Sequence, residues 1–151
     1  MLDDPRITAM GLFIEAFSGL NARLAAQIAE HKLGMVDFEV LIRLARSKDG
    51  ELRMTDLAAQ TGLSTSGVTR VVDRLERDGF AERRACPTDR RGAFTVITAA
   101  GQARLLEVLP GHLTLVEEWF TGRLGAEQLD QLLDGLRTIR DAVRPEATTG
   151  S

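Results

Sequence analysis

The 151-residue chain has one cysteine, so no disulfide can form within it and a reducing compartment is the expected setting. No apolar run approaches the roughly 18–20 residues that a membrane-spanning helix needs. The opening "MLDDPRITAM" carries acids where a secretory leader has a basic region, so a cytoplasmic location is expected and no membrane partner. The two histidines, His31 and His112, lie far apart and have no H-x3-H spacing or cysteine pair beside them, so no metal site is expected. There is no Gly-rich phosphate loop and no nucleophile–base pairing. Neither catalytic residues nor a cofactor is therefore expected, and an enzyme is the remote reading.

What is present is globular: 44% hydrophobic and 27% charged residues, in a length that suits one domain or a small domain with added helices. The net charge of -3 hides an asymmetry. Between Ser64 and Gly92 there are seven arginines against five acids, a net of +2, which leaves -5 for the rest of the chain. An acidic chain with one basic segment points to a localised anion-binding surface. Four of the arginines fall in "RRACPTDRRG", residues 83–92.

Hydrophobic periodicity predicts mainly helices with a small β-hairpin, an α+β class. A first helix is expected over 5–30, with Ile7, Met10, Ile14, Phe17, Leu24 and Ile28 at helical spacing, and Leu12 and Phe13 widening the stripe so that more than one face is buried. A second is expected over 36–47, stopped by Asp49-Gly50. "ELRM" is too short to be more than a strand fragment. Thr55 is expected to cap "DLAAQT", and Gly62 to end it. Ser64 caps the next helix, which runs to about Asp78. Phe80–Ala85 and Ala93–Thr98 read as hairpin arms. Thr98 starts a long helix reaching about Gly122, with a kink or short break expected at Pro110-Gly111. A last helix is expected over 126–143, then a frayed tail.

The segment 55–80, "TDLAAQTGLSTSGVTRVVDRLERDGF", has the parts of a helix-turn-helix. Ala58 and Ala59 are small enough for close helix approach, Gly62 can take a positive φ, and Leu63 can plug the corner. Val68, Val71, Val72 and Leu75 form a buried stripe; Thr65, Ser66, Thr69, Arg70, Asp73 and Arg74 lie opposite. Hydroxyls at the helix start allow close approach to DNA, and Arg70 can reach guanine O6 and N7 with both arms of its guanidinium. A ribbon following such a helix is a wing, whose tip can enter the negative minor groove.

The run "LSTSGVTRVVDRLERDGFAERRACPTDRRGAFTVITAAG" resembles the core of the MarR family of bacterial transcriptional regulators. The wing pattern of that family, Asp-x-Arg, a strand, then "LT-x-x-G", is matched by Asp89-Arg90-Arg91 and by Ile97-Thr98-Ala99-Ala100-Gly101, with isoleucine in place of leucine. The resemblance implies a winged helix-turn-helix lobe over 35–98, dimerisation helices over 1–34 and 99–145, and a disordered tail over 146–151. It implies double-stranded DNA as partner, with Ser64, Thr65, Ser66, Thr69 and Arg70 at the major groove and Arg91 in the minor groove. Arg90 is expected on a phosphate, Arg83 and Arg84 flank the wing with phosphate contacts, and Asp89 aims an arginine, with Arg74 as a candidate partner. It further implies a homodimeric repressor of a pseudo-palindromic operator, released by a small, often aromatic, anion. Arg23, His31, Arg43 and Arg46 are the candidate anion-binding residues, although each is also readable as an ordinary surface or interface charge. The same residues leave a second reading open, a winged module serving as a protein-interaction or architectural scaffold. Cys86, among cations in the wing, has a thiol-sensing reading, but a small exposed loop residue is the plainer one.

Overall fold

The computed structural model describes residues 3–86 and 89–148, and for 89–91 the backbone alone. Six α-helices and three strands follow in the order α1 (Pro5–Glu30), α2 (Met35–Arg46), β1 (Glu51–Arg53), α3 (Met54–Thr61), α4 (Thr65–Arg77), β2 (Ala81–Cys86), β3 (Asp89–Ile97), α5 (Ala99–Trp119) and α6 (Ala126–Val143). Short 3-10 turns occupy Lys48–Gly50, Thr121–Arg123 and Pro145–Thr148. None of these helices is long and apolar enough to cross a membrane.

Start signals in the sequence set most of these boundaries. Asp4 caps α1 by accepting from the Arg6 amide at 2.9 Å, and Pro5 follows where its missing N–H costs nothing. Ser64 Oγ accepts from the Gly67 amide at 3.1 Å to open α4. Gly62 closes α3 in the left-handed region at φ 68. α3 itself begins one residue before Thr55, with Arg53 at the cap position and no side-chain cap bond, because the chain leaves β1 directly into the helix.

The three residues of β1 are more than a fragment: they complete an antiparallel sheet of order β1-β3-β2. Glu51 lies opposite Val96 and Arg53 opposite Phe94, while Ala81 pairs with Ile97 and Ala85 with Ala93. A register shift between Ala85 and Cys86 brings Cys86 opposite Asp89. That shift turns Cys86 inward, so it is buried with 6% of its surface exposed, contrary to the exposed loop residue expected.

The core lies beneath the sheet and helix-turn-helix. Leu41 and Leu44 of α2, Leu57 of α3, the α4 stripe and Ile97 meet there. Ile28 from the end of α1 and Leu105 and Val108 from α5 belong to the same cluster, so the lobe and the long helices share one interior. α5 continues through Pro110, so the short break that was one of the two expected outcomes there does not occur. Just before the proline, Val108 is fully buried and its carbonyl accepts from Gln27 Nε2 of α1 at 3.1 Å. This packing outweighs the one backbone bond that proline removes.

The rest of α1, and all of α6, behave differently. Only Ile28 of α1 is buried, and no residue of α6 is. Ile7, Phe13 and Phe17 are each more than half exposed in the single chain, as are Leu113, Ile139 and Val143. The broad burial expected of α1 is therefore not supplied within one copy.

The tail does not fray where expected. Residues 145–148 form a turn against α3, with Arg43 Nη1 donating to Ala147 O at 3.4 Å and Arg144 Nη2 to Gln60 O at 2.9 Å. Residues 149–151 lie outside the described residues.

One glycine fixes the corner between sheet and long helix. Thr98 Oγ1 accepts from the Gly101 amide at 3.0 Å and donates to Gly79 O at 2.7 Å. A Cβ at Gly101 would lie 2.1 Å from the Phe80 carbonyl oxygen. Gly101→Ala is expected to destabilise the fold by at least about 2 kcal/mol, as overpacking against backbone does. Urea denaturation measures it; an unchanged midpoint and slope would contradict the contact.

Candidate nucleic-acid interface

The orientation of α4 follows from its apolar side. Val68, Val71, Val72 and Leu75 are at most 4% exposed, which turns Thr65, Ser66, Thr69, Arg70 and Asp73 to the opposite side. At the helix start, the Ser64 and Ser66 hydroxyls stand 3.2 Å apart. Thr69 Oγ1 donates back to Thr65 O at 2.8 Å, leaving its lone pairs outward. These small hydroxyls keep the first turn slim enough for close approach to a duplex.

The arginines divide into tethered and untethered groups. Arg74 is held by Asp37 of α2, with Nη2 donating to Oδ1 at 2.6 Å and Nε to Oδ2 at 3.4 Å. This forked pair raises the Arg74 guanidinium above its ordinary pKa. The Asp89 side chain, the partner considered for Arg74, lies outside the described residues.

Arg83 is a clamp between wing and helix. Its Nη2 donates to Asp73 Oδ1 at 2.6 Å and to Thr69 O at 3.3 Å, and Nη1 donates to Glu76 Oε2. Glu76 Oε1 also accepts from the Arg83 amide at 2.7 Å. These bonds tie the first strand of the wing to α4 and draw the Arg83 guanidinium toward the helix. Arg84 is more exposed and, among the described residues, makes long surface pairs, 3.3 Å to Glu51 and 3.5 Å to Glu82, which leave its guanidinium accessible.

Arg70 is exposed and, among the described residues, has no ion pair. With Asp73, Glu76 and Asp37 absorbed by neighbours, it is the uncompensated cation on the outer side of α4. Pro87 and Thr88, and the side chains of Asp89, Arg90 and Arg91, lie outside the described residues. The backbone of 89–91 belongs to β3, which begins four residues before the expected strand start.

The four candidate anion-binding residues are not brought together. Arg23 lies over the Trp119 ring at 4.0 Å, with Arg123 over the same ring at 4.8 Å. His31 is the C-cap of α1, its amide donating to Ile28 O at 3.1 Å. Arg43 and Arg46 alone share a cleft, on the other side of α2. Two further polar atoms, which no local motif marks, lie at the junction of α1, α2 and α5. Gln27 Oε1 and His112 Nδ1 are buried and lack hydrogen-bond partners among the described residues. The His112 ring packs at a tilt against Phe38, centroids 4.8 Å apart. No group of three or more metal-ligating side chains occurs among the described residues.

A capped outward-facing helix followed by an antiparallel wing defines a winged helix-turn-helix DNA-binding protein. Residues 31–92 match the MarR family. The chain resembles the HTH-type transcriptional repressor YetL of Bacillus subtilis (strain 168), 32% identical over 111 residues that cover 72% of this chain and 66% of YetL. AbsC, a MarR family transcriptional regulator from Streptomyces coelicolor, superposes with a TM-score of 0.90 at 31% identity, over 96% of this chain and 98% of AbsC. Sco3205, a MarR family regulator from the same organism solved in complex with DNA, gives a TM-score of 0.86 at 32% identity, over 91% of this chain and 87% of that one. The chain belongs to the MarR family and is a DNA-binding transcriptional regulator, not an enzyme.

Two outcomes follow from the geometry. Glu76→Gln weakens the Arg83 clamp and is expected to cost about 1–2 kcal/mol of stability and to lower affinity for a specific duplex. If Arg83 served only as a phosphate contact, removing a nearby carboxylate would leave or raise that affinity; fluorescence anisotropy at fixed salt separates the two. Burial lowers the His112 pKa from 6.5, so the native state takes up its proton less readily than the unfolded chain. The stability contributed by neutral His112 is present above about pH 6.5 and is lost as the pH falls toward the depressed native value. Thermal melts should therefore fall on acidification, with a shallower slope in His112→Gln.

Proposed function

We propose that the protein is a homodimeric repressor of a pseudo-palindromic operator, released by a small anionic ligand. The observation that carries the reading is the coexistence of an untethered Arg70 on the reading helix with apolar helices that one copy leaves uncovered. A second copy would bury Phe13, Phe17, Leu113 and Ile139 and hold two reading helices at about one helical repeat, roughly 34 Å. One winged module alone offers too small an interface for operator specificity.

In this reading Ser64, Thr65, Ser66 and Thr69 contact phosphates and base edges, Arg70 reads a guanine, and Arg84 and Arg90 contact phosphates. Arg91 enters the minor groove beside the site. Arg74 and Arg83 keep the helix and wing in place from behind. The ligand acts by favouring one spacing of the two reading heads over another. The cytoplasm is the compartment where such an operator is reached.

Sedimentation of the full chain should give a dimer, and a monomer at micromolar concentration would remove the basis for two-site reading. With an operator taken from the gene's own promoter, Arg70→Ala is expected to relax preference at one base pair by about 1–3 kcal/mol. Arg91→Ala should weaken binding most at A·T-rich flanks. Unchanged affinity in both variants would favour a scaffold role over operator reading.

A further inference from the structure

The end of α2, α3, the end of α6 and the turn Pro145–Thr148 enclose a cleft of about 410 Å³. Four of its lining side chains are cations, Arg43, Arg46, Lys48 and Arg140, against a single carboxylate, Glu39. Glu39 is already held by Arg43, whose Nε and Nη2 donate to it at 3.0 and 2.8 Å. Arg140 pairs outside the cleft with Asp141 at 2.7 Å. Among the described residues, no carboxylate pairs with Arg46 or Lys48. In a chain of net charge -3, Arg46 and Lys48 thus bring two cations without a carboxylate partner among the described residues to one concavity.

The cleft has a built wall as well as charge. Gln60, only 4% exposed, places its Oε1 there, accepting from Arg43 Nη1 at 3.4 Å. Ile42 adds a half-buried apolar side. Guanidinium forks beside an apolar surface suit a compact anionic molecule, and the volume lies in the range of small-ligand sites, about 300–1,000 Å³.

We propose that this cleft binds a small organic molecule carrying two or more anionic groups, phosphate or carboxylate. Arg46 and Lys48 hold the anionic groups, Arg43, bonded to Glu39, Gln60 and Ala147, shapes the floor, and Ile42 packs against the body of the ligand. The cleft is also a mechanical junction. Arg43 bonds the tail at Ala147 O, and Arg144 bonds Gln60 O at the end of α3, so a ligand here touches both the first helix of the reading module and the end of α6. Such a ligand would be an effector in the sense proposed above, but its binding is measured without DNA, so failure to bind and failure to release an operator are separate results.

The test is isothermal titration of the full chain with sodium pyrophosphate, and separately with citrate, at ionic strength held constant with sodium chloride. Saturable binding of at least one probe, one per chain, is expected; which probe binds tighter distinguishes phosphate from carboxylate. Arg46→Gln and Lys48→Gln should each weaken it about tenfold, the loss of one charge-assisted contact. Both side chains are exposed, so the fold should survive, as circular dichroism will show. Arg137→Gln, an α6 arginine paired with Asp134 away from the cleft, should leave binding unchanged. No saturable heat from either probe, or equal weakening in Arg137→Gln, overturns the proposal. So does displacement of the probe by duplex DNA together with loss of duplex affinity in Arg46→Gln, which would make these cations a DNA phosphate contact.

Discussion

The burial of one stripe on α4 orients everything the protein presents to a duplex. Val68, Val71, Val72 and Leu75 are locked into an interior shared with α2, α3, β3 and α5. A helix so fixed has no rotational freedom, and its remaining face, with Thr65, Ser66, Thr69 and Arg70, points outward by necessity. Stripping even one methyl from such a site costs stability through both lost transfer energy and the cavity left behind. The proposed reading surface thus needs no loop to hold it; it is the reverse side of the core.

Around that core the molecule has two kinds of helix. α2, α3 and α4 bury their apolar groups within the chain, as does the first half of α5. α1 and α6 keep theirs largely in contact with solvent, which an isolated soluble domain rarely does over so many large residues. The boundary between them is not a linker. Ile28, Leu105 and Val108 carry the long helices into the lobe interior, so displacement of α1 or α5 is felt in the packing beneath α4.

Much of this architecture was readable from local signals. The extents of α1 and α6, the Ser64 cap, the left-handed Gly62 and the Thr98 cap of α5 each depend on residues within a few positions of one another. What escaped depends on distance along the chain. Asp37 meets Arg74 across 37 positions, and nothing in either neighbourhood announces it. The tail turn exists because Arg43 and Gln60, far upstream, supply its partners. Pro110 misled for the same reason: its local preference is to break a helix, and tertiary packing beside Val108 overrides it. Arg83 and Arg84 look alike in sequence, yet alternation along β2 gives them opposite faces, one toward α4 and one toward solvent.

The clamp made by Arg83 has a bearing on the DNA as well as on the protein. By tying β2 to Asp73, Glu76 and Thr69 at once, it makes wing and helix a single rigid gauge. A rigid gauge measures distance along a duplex. In the proposed mode of binding, what the wing meets in the minor groove then sits at a constant offset from the bases met by α4, so inserting or deleting one base pair between them would put the two out of phase. Sites recognised by this chain should tolerate changes of letter within each segment more readily than changes of spacing between them.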